Sequence, residues 1–350
     1  VYYASNGPTY NPEDKSTYSL IKGRNWQDDI YQTALSQQYQ LSLSGGTDKV
    51  TYYVSAAYKN IEGTTKNTGL KQGDLRATIH GELSKNLSLD LTMSGSLRQN
   101  DMMSGGNTNN GPSSAVSRMA ISGQPFVYPG VTTGESKTTI ESWLTDYVDV
   151  TNSKNFKGSL DLKWKIVKGL TYNLRLGGNI SMDDRKCWDG MEIFQCQLEG
   201  GLLDRSTLEK KNYTFENVLN YNTQIGDWSR LDVTAGVTYD QYKFLNNVTK
   251  GKSFPFLGLR ENGLNVAEST THYAPTQNDY QLMSYLGRIN YTLFDKYLLT
   301  FSLRADGSSR FRKGNRWGYF PSGSLAWRVN DENFLKDVAW LSQLKARVSY

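Results

Sequence analysis

Residues 39–59 read YQLSLSGGTDKVTYYVSAAYK, two runs of strict alternation joined by a short polar turn. In the first run Tyr39, Leu41 and Leu43 fall on one side and Gln40, Ser42 and Ser44 on the other. In the second, Val50, Tyr52, Val54, Ala56 and Tyr58 alternate with Thr51, Tyr53, Ser55, Ala57 and Lys59. Period-two alternation marks a strand whose two faces meet unlike surroundings, and Gly45-Gly46-Thr47-Asp48 supplies hairpin turn chemistry. The hairpin poses one question: does its apolar face meet a protein core or lipid?

The pattern recurs along the chain. Leu87, Leu89, Leu91, Met93 and Leu97 oppose Ser88, Asp90, Thr92, Ser94 and Arg98, and Leu160, Leu162, Trp164 and Ile166 oppose Ser159, Asp161, Lys163 and Lys165. Leu170, Tyr172, Leu174, Leu176 and Ile180 oppose Thr171, Asn173, Arg175, Asn179 and Ser181. In all, the alternation predicts about twelve strands of roughly ten residues each, the length a tilted strand needs to cross a bilayer.

The connections alternate as well. Short turns at Gly46 to Asp48, Lys85-Asn86, Val167 to Gly169, Gly226 to Ser229 and Asp295-Lys296 separate longer loops at 60–69, 99–155, 183–210, 245–280 and 307–316. A soluble sandwich has no reason to gather its long loops at one end, whereas an outer-membrane barrel has short periplasmic turns and long external loops. The segment 330–343 breaks the rule, and NDENFLKDVAWL there predicts a helix. Tyr39, Tyr58, Trp164, Tyr172, Tyr221, Tyr239, Tyr291 and Tyr297 fall on the apolar face near strand ends, where rings with a polar tip suit a membrane interface. The opposite face carries Arg, Lys, Asp, Glu, Ser, Thr and Asn, which a closed apolar core could not hold unpaired. The sequence therefore predicts an all-β fold: part of a transmembrane antiparallel β-barrel, apolar side to lipid, polar side to a wet lumen.

Bulk composition excludes other classes. With 23 Tyr, 12 Phe, 32 Gly and 8 Pro in 350 residues, the chain is unlike a soluble helical enzyme. Mean hydropathy is −0.59 and no apolar stretch is long enough for a transmembrane helix. A net charge of +5 from 39 basic and 34 acidic residues, without a basic stripe, gives nucleic acid no footprint. Val1 opens in polar, turn-rich sequence without a leader pattern, so the chain reads as a piece of something longer.

The stretch RADGSSRFRKGNRWGYFPSGSLAWRVNDENFL, Arg304 to Leu335, resembles the barrel of SusC-like TonB-dependent outer-membrane transporters. So does SYLGRINYTLFDKYLLTFSLRADGSSRF, in which the Asp295-Lys296 turn precedes a strand ending in Asp306-Gly307-Ser308-Ser309. NWQDDIYQTALSQQYQLSLSGGTDKVTYYVSAAYKNIEG, Asn25 to Gly63, resembles the way that family leads into its barrel, and AVSRMAISGQPFVYPG at 115–130 is a looser match. The resemblance implies a barrel of about 22 strands around a plug, of which this chain would hold about the first twelve. Residues 1–36 would then link plug to barrel, and 37–350 would form the N-terminal part of the barrel. It also implies a Gram-negative outer membrane, a SusD-like surface lipoprotein over the barrel, and TonB acting through a plug region that would precede Val1. The implied function is energised import of a large nutrient, an oligosaccharide or a peptide. A siderophore receptor or a passive porin is the alternative within membranes. A non-transporting surface adhesin or secreted β-sandwich is the alternative from another class.

Enzyme chemistry finds no support. His80 and His272 stand in no metal or triad spacing, and His80 alternates in phase with Arg76 and Glu82, as a lumen residue would. Gly251-Lys252-Ser253 ends like a phosphate loop, but Asn246 stands where the first glycine is required. The residues offer no catalytic set, metal site or cofactor site. The substrate-contact candidates are loop aromatics, Trp143, Tyr147, Trp188 and Phe194, on whose faces sugars could stack; packing anchors are the plainer reading. Phe126 and Tyr128 join Trp143 and Tyr147 in the 99–155 loop, a candidate partner surface. Cys187 and Cys196, with eight residues between them, are expected to form a disulfide in an oxidising exterior.

Overall fold

The computed structural model describes residues 13–16, 25–103, 115–122, 140–335 and 340–350. Alternating segments become strands: β1 (Ser36–Gly46), β2 (Val50–Glu62), β3 (Gly69–Ser84), β4 (Leu87–Met102), β5 (Tyr147–Val167), β6 (Leu170–Asp189), β7 (Leu202–Ile225) and β8 (Ser229–Lys252). Two short strands follow, β9 (Ser269–His272) and β10 (Thr276–Gln277), then β11 (Tyr280–Leu293), β12 (Tyr297–Ser308), β13 (Trp317–Arg328) and β14 (Lys345–Ser349). Twelve of them form one antiparallel meander in the order β1 to β8 and then β11 to β14, with β9 and β10 added to β8. Among the described residues the path ends at β1 and β14, which are exposed along their whole lengths and are not paired with each other.

Register carries the two-faced pattern across the sheet. One row of direct partners runs Tyr52, Ile79, Leu91, Leu160, Leu176, Phe215, Tyr239, Met283. The neighbouring row, one residue along each strand, runs Thr51, His80, Asp90, Asp161, Arg175, Glu216, Thr238, Ser284. A slip of one residue at any ladder would exchange the faces, so the pairing is strongly specified. The apolar face is not packed against protein: Leu41 is 76 % exposed and Leu75 65 %. From Leu170 to Met182 on β6 it spans about 30 Å at the usual strand rise and tilt, which matches a bilayer's apolar thickness.

The turns at the short end are tight. At Lys168-Gly169 the backbone takes φ +86° at Gly169, and a Cβ there would lie 2.3 Å from the Asn222 carbonyl oxygen, so only glycine fits.

Strand length departs from the sequence expectation. β5, β6, β7 and β8 have 21, 20, 24 and 24 residues, about double the expected length. The connections shrink accordingly, from 99–155 to 103–146, from 183–210 to 190–201 and from 245–280 to 253–279, the last carrying β9 and β10. Beyond the lipid band both faces meet water or packed loops, so alternation fades while the hydrogen-bonded ladder continues. The helix expected in 330–343 is absent from its described part, which is a 3-10 turn at Val329–Asp331 followed by turns; 336–339 lie outside the described residues.

The extended ends are packed on both sides. On the polar face, helix α1 (Trp26–Ile30), α2 (Ala115–Ser122) and α3 (Ile140–Asp146) meet in a core of Trp26, Ile30, Val116, Ala120, Ile140, Trp143, Tyr147 and Ile193. Asn25 caps α1, its side chain accepting from the Gln27 N–H at 3.2 Å. On the other face Trp188, Leu203 and Phe254 form a second core with Val148, Leu264, Val266 and Ala267. The strands thus rise past the lipid band into a rim with a protein interior of its own.

Candidate functional site: the polar wall and its rim

The polar row forms a chain of titratable groups across five strands, β3 to β7. His80 Nδ1 lies 2.6 Å from Asp90 Oδ1. Arg175 bridges Asp161 on one neighbouring strand and Glu216 on the other, the latter at 3.4 Å. A cavity of about 500 Å³ opens on this row, lined among others by Asp90, Asp161, Lys163, Asn173, Arg175 and Glu216. Further along the sheet Thr214 donates to Asp240 at 2.9 Å, and Arg304 reaches Asp306 at 2.7 Å and Ser284 at 3.2 Å. Donors and acceptors of both signs, anchored on a rigid ladder and open to water, can exchange hydrogen bonds with a passing polar solute. Alternation located these residues, but cross-strand register was needed to show that they form one row.

At the rim the expected substrate contacts are corrected. Trp143, Tyr147 and Trp188 are 3, 4 and 0 % exposed, which leaves no face for a ligand. Trp143 lies on α3 with its ring 5.3 Å from that of Tyr147, the first residue of β5, and Trp188 lies on β6, edge-on to Phe254 at 4.9 Å. They are packing anchors, brought together in two cores rather than one site. Phe194 opens the short helix α4 (Phe194–Gln197). Phe126 and Tyr128 lie outside the described residues.

The cysteines are corrected too. Both are free thiols: Cys187 lies on β6 with its sulfur 3.6 Å from the Tyr147 hydroxyl, and Cys196 is buried in α4. Burial pushes both thiols up to about 12, helped by nearby carboxylates, so neither is a nucleophile at neutral pH.

Buried charge organises the rim. The Asp149 side chain, fully buried, accepts two hydrogen bonds from the Arg185 guanidinium at 2.8 and 2.7 Å, which raises the Arg185 pKa. Asp189 is pushed up to about 7, first by burial and then by Asp204 and Asp149. Lys250 offsets Asp204 at 3.0 Å, and Arg205 forks onto Asp184 with two bonds of 3.0 Å. Asp146 ties α3 to this frame, accepting from Trp188 Nε1 at 3.3 Å and from the Glu192 N–H at 3.0 Å. At the short-turn end Glu332 accepts from Tyr297 at 2.7 Å, from Lys296 at 3.0 Å and from Trp327 at 3.0 Å, and these bonds hold it down to about 2.

An antiparallel meander with an apolar outer row, a polar inner row, tight turns at one end and a built-up rim at the other is the wall of a transmembrane β-barrel. The chain is similar over nearly its whole length to curated TonB-dependent receptors. It is 28 % identical to the TonB-dependent receptor P3 of Formosa agariphila over 337 residues, covering 93 % of this chain and 33 % of that protein. It is also 28 % identical to the TonB-dependent receptor SusC of Bacteroides thetaiotaomicron over 355 residues, covering 93 % of this chain and 34 % of SusC. The chain thus spans about a third of the length of these curated relatives. Among solved structures, the RagAB peptide importer in its open-open state superposes with a TM-score of 0.72 at 19 % identity, over 93 % of this chain and 37 % of that one. The unliganded ferric citrate transporter FecA reaches 0.53 at 11 %, over 86 % and 40 %. These superpositions show the fold. No family model matches the chain.

Proposed function

We propose that the chain is part of the barrel wall of a SusC-like transporter in a Gram-negative outer membrane, importing a large polar nutrient, an oligosaccharide or a peptide. The observation that supports this reading best is the continuous polar row at the level of Arg175, on the face opposite the lipid-matched band. Residues 1–36 lead from a plug into the barrel, and TonB acts through that plug. A SusD-like lipoprotein covers the rim over the 103–146 connection. The polar wall replaces the hydration of the solute as the plug moves, and no bond is made or broken.

The test compares nutrient depletion from a defined mixture of oligosaccharides and peptides by cells with the gene intact, deleted, and restored with Arg175→Glu. Deletion is expected to abolish uptake of one oligomer class, loss of TonB to do the same, and Arg175→Glu to slow it with the protein still assembled. Uptake that continues without TonB would contradict energised import. Co-purification of the wild-type protein with a lipoprotein from a neighbouring gene checks the partner.

A further inference from the structure

The apolar face is not uniform. Where β2 to β6 run side by side it holds a groove of about 610 Å³. Gly73 and Gly95 lie at its floor: a Cβ would meet nothing within 4 Å at Gly73 and only the Asn155 carbonyl oxygen, at 3.9 Å, at Gly95. Leu75, Leu97, Phe156 and Met182 stand around it, all at least 40 % exposed.

One end of the groove changes character. Lys154 lines it and is the direct partner of Leu97 and Met182, so it belongs to the apolar face. Lys211 stands opposite Ile180, another lining residue, and Lys243 opposite Lys211. Lys211 is paired with Glu209, whereas exposed Lys154 and Lys243 have no ion pair among the described residues. These lysines sit at the edge of the apolar band nearest the long connections, level with Ile180 and Met182. A groove in lipid gains little from apolar contact alone, because acyl chains elsewhere are equally apolar. Selection must come from shape and from charge at the interface, where each lysine favours an anionic headgroup.

We propose that this groove binds one acyl chain of an acylated, phosphorylated lipid of the outer leaflet, with the lipid phosphate held by Lys154 and the neighbouring lysines. The proposal rests on the barrel-wall reading above. The charge lies towards one end of the groove, on the β5 to β8 side, and the rest, crossing the strands towards β2, is lined by apolar side chains and glycine, which gives a phosphate and an acyl chain adjoining places.

The test uses the full-length protein, extracted from outer membranes in mild detergent, delipidated and re-exposed to four probes. They are a phosphorylated acyl-glucosamine lipid, the same lipid without phosphate, dioleoylphosphatidylglycerol, and inorganic phosphate. Native mass spectrometry reads the retained adduct. Wild-type protein is expected to retain the phosphorylated acyl-glucosamine lipid, and Lys154→Glu to lower that retention about tenfold. Gly95→Leu, which fills the groove without touching the lysines, is expected to lower it as well. Both variants are expected to keep the heat-modifiable migration of a folded barrel, and Lys154→Ala serves in place of Lys154→Glu should the acidic variant misassemble. Equal retention by wild type and the folded Lys154 variant, or equal retention of the dephosphorylated lipid, would overturn the proposal. Preference for phosphatidylglycerol would assign the groove to a glycerophospholipid, and binding of inorganic phosphate alone would overturn the acyl-chain half. A wild-type protein absent from the membrane fraction would instead overturn the barrel reading itself.

Discussion

The lower and upper halves of β5 to β8 are one hydrogen-bonded ladder, yet different physics holds each. In the lower half, exposed Leu, Phe and Tyr face lipid, Asp161, Arg175 and Glu216 face water, and little is buried between protein groups. A strand there is kept by its ladder, since an unpaired backbone group in hydrocarbon costs several kcal/mol, on the order of a full lost hydrogen bond. In the upper half, the same strands gain buried cores on both faces, from Trp143 and Tyr147 on one side and Trp188 and Leu203 on the other. Ion pairs such as Arg185–Asp149 then clamp neighbouring strands to each other. The membrane-level wall resembles an inside-out protein, and the rim resembles an ordinary soluble domain grafted on its end.

The largest expected effect separates the halves from above. Trp188→Ala should cost the rim about 3–5 kcal/mol through the cavity it leaves. Limited proteolysis of the full-length protein should then cleave faster within 253–279, with heat-modifiable migration unchanged. Loss of barrel assembly would show that the rim is not a separate unit.

From below, Leu91→Arg places a charge on the lipid face and should cost about 2–4 kcal/mol near the midplane, while Thr92→Arg, facing the lumen, should assemble. Equal damage from the two, read as folded protein in the outer membrane, would break the assignment of faces.

A smaller effect is expected from Arg185→Met, which leaves the buried Asp149 carboxylate without its fork. Because Arg185 is half-exposed, about 1–3 kcal/mol of rim stability is expected to go, and Asp149→Asn in the same protein should restore part of it. Additive losses in the double variant would contradict the pairing.

The smallest is a pH effect confined to one end. Asp189 is raised to about 7 in the fold from an ordinary 3.8. The stability it contributes is therefore full below its ordinary value and is lost as pH rises through 7. Glu332, held down to about 2, contributes stability present above its ordinary 4.5, so it does not change between pH 5 and 8. Amide exchange in the rim should be slower at pH 5 than at pH 8 after correction for intrinsic rates, and Asp189→Asn should flatten the difference. A rim that loosens at pH 5 would reverse the sign of this argument.

The same contrast decides what the sequence could reveal. At membrane level, alternation exposed the strands, their faces and the short turns, because every second residue meets lipid. Thus Leu160, Leu162 and Trp164 were legible at once, and so was the lumen placement of His80. In the rim, buried Asp149 and half-buried Val148, or half-buried Cys187 and buried Trp188, are packed on opposite faces, so no two-residue period marks them as strand. Trp188 therefore looked like a loop aromatic, and Cys187 like half of a loop disulfide, when both sit on β6. The polar row was legible residue by residue, but its continuity depends on register, which the sequence states only through turn lengths.

The central claim is that one face of this sheet meets lipid and the other water. Single cysteines placed in turn from Ser88 to Ser94 on β4 of the full-length protein, in intact outer membranes, test it most directly. The native thiols, Cys196 buried and Cys187 half-buried, are both held protonated and should stay silent. A water-soluble maleimide should label positions 88, 90, 92 and 94, and spin-labelled lipid should quench fluorophores at 89, 91 and 93. Uniform aqueous labelling along the strand, or quenching with no two-residue period, would contradict the account.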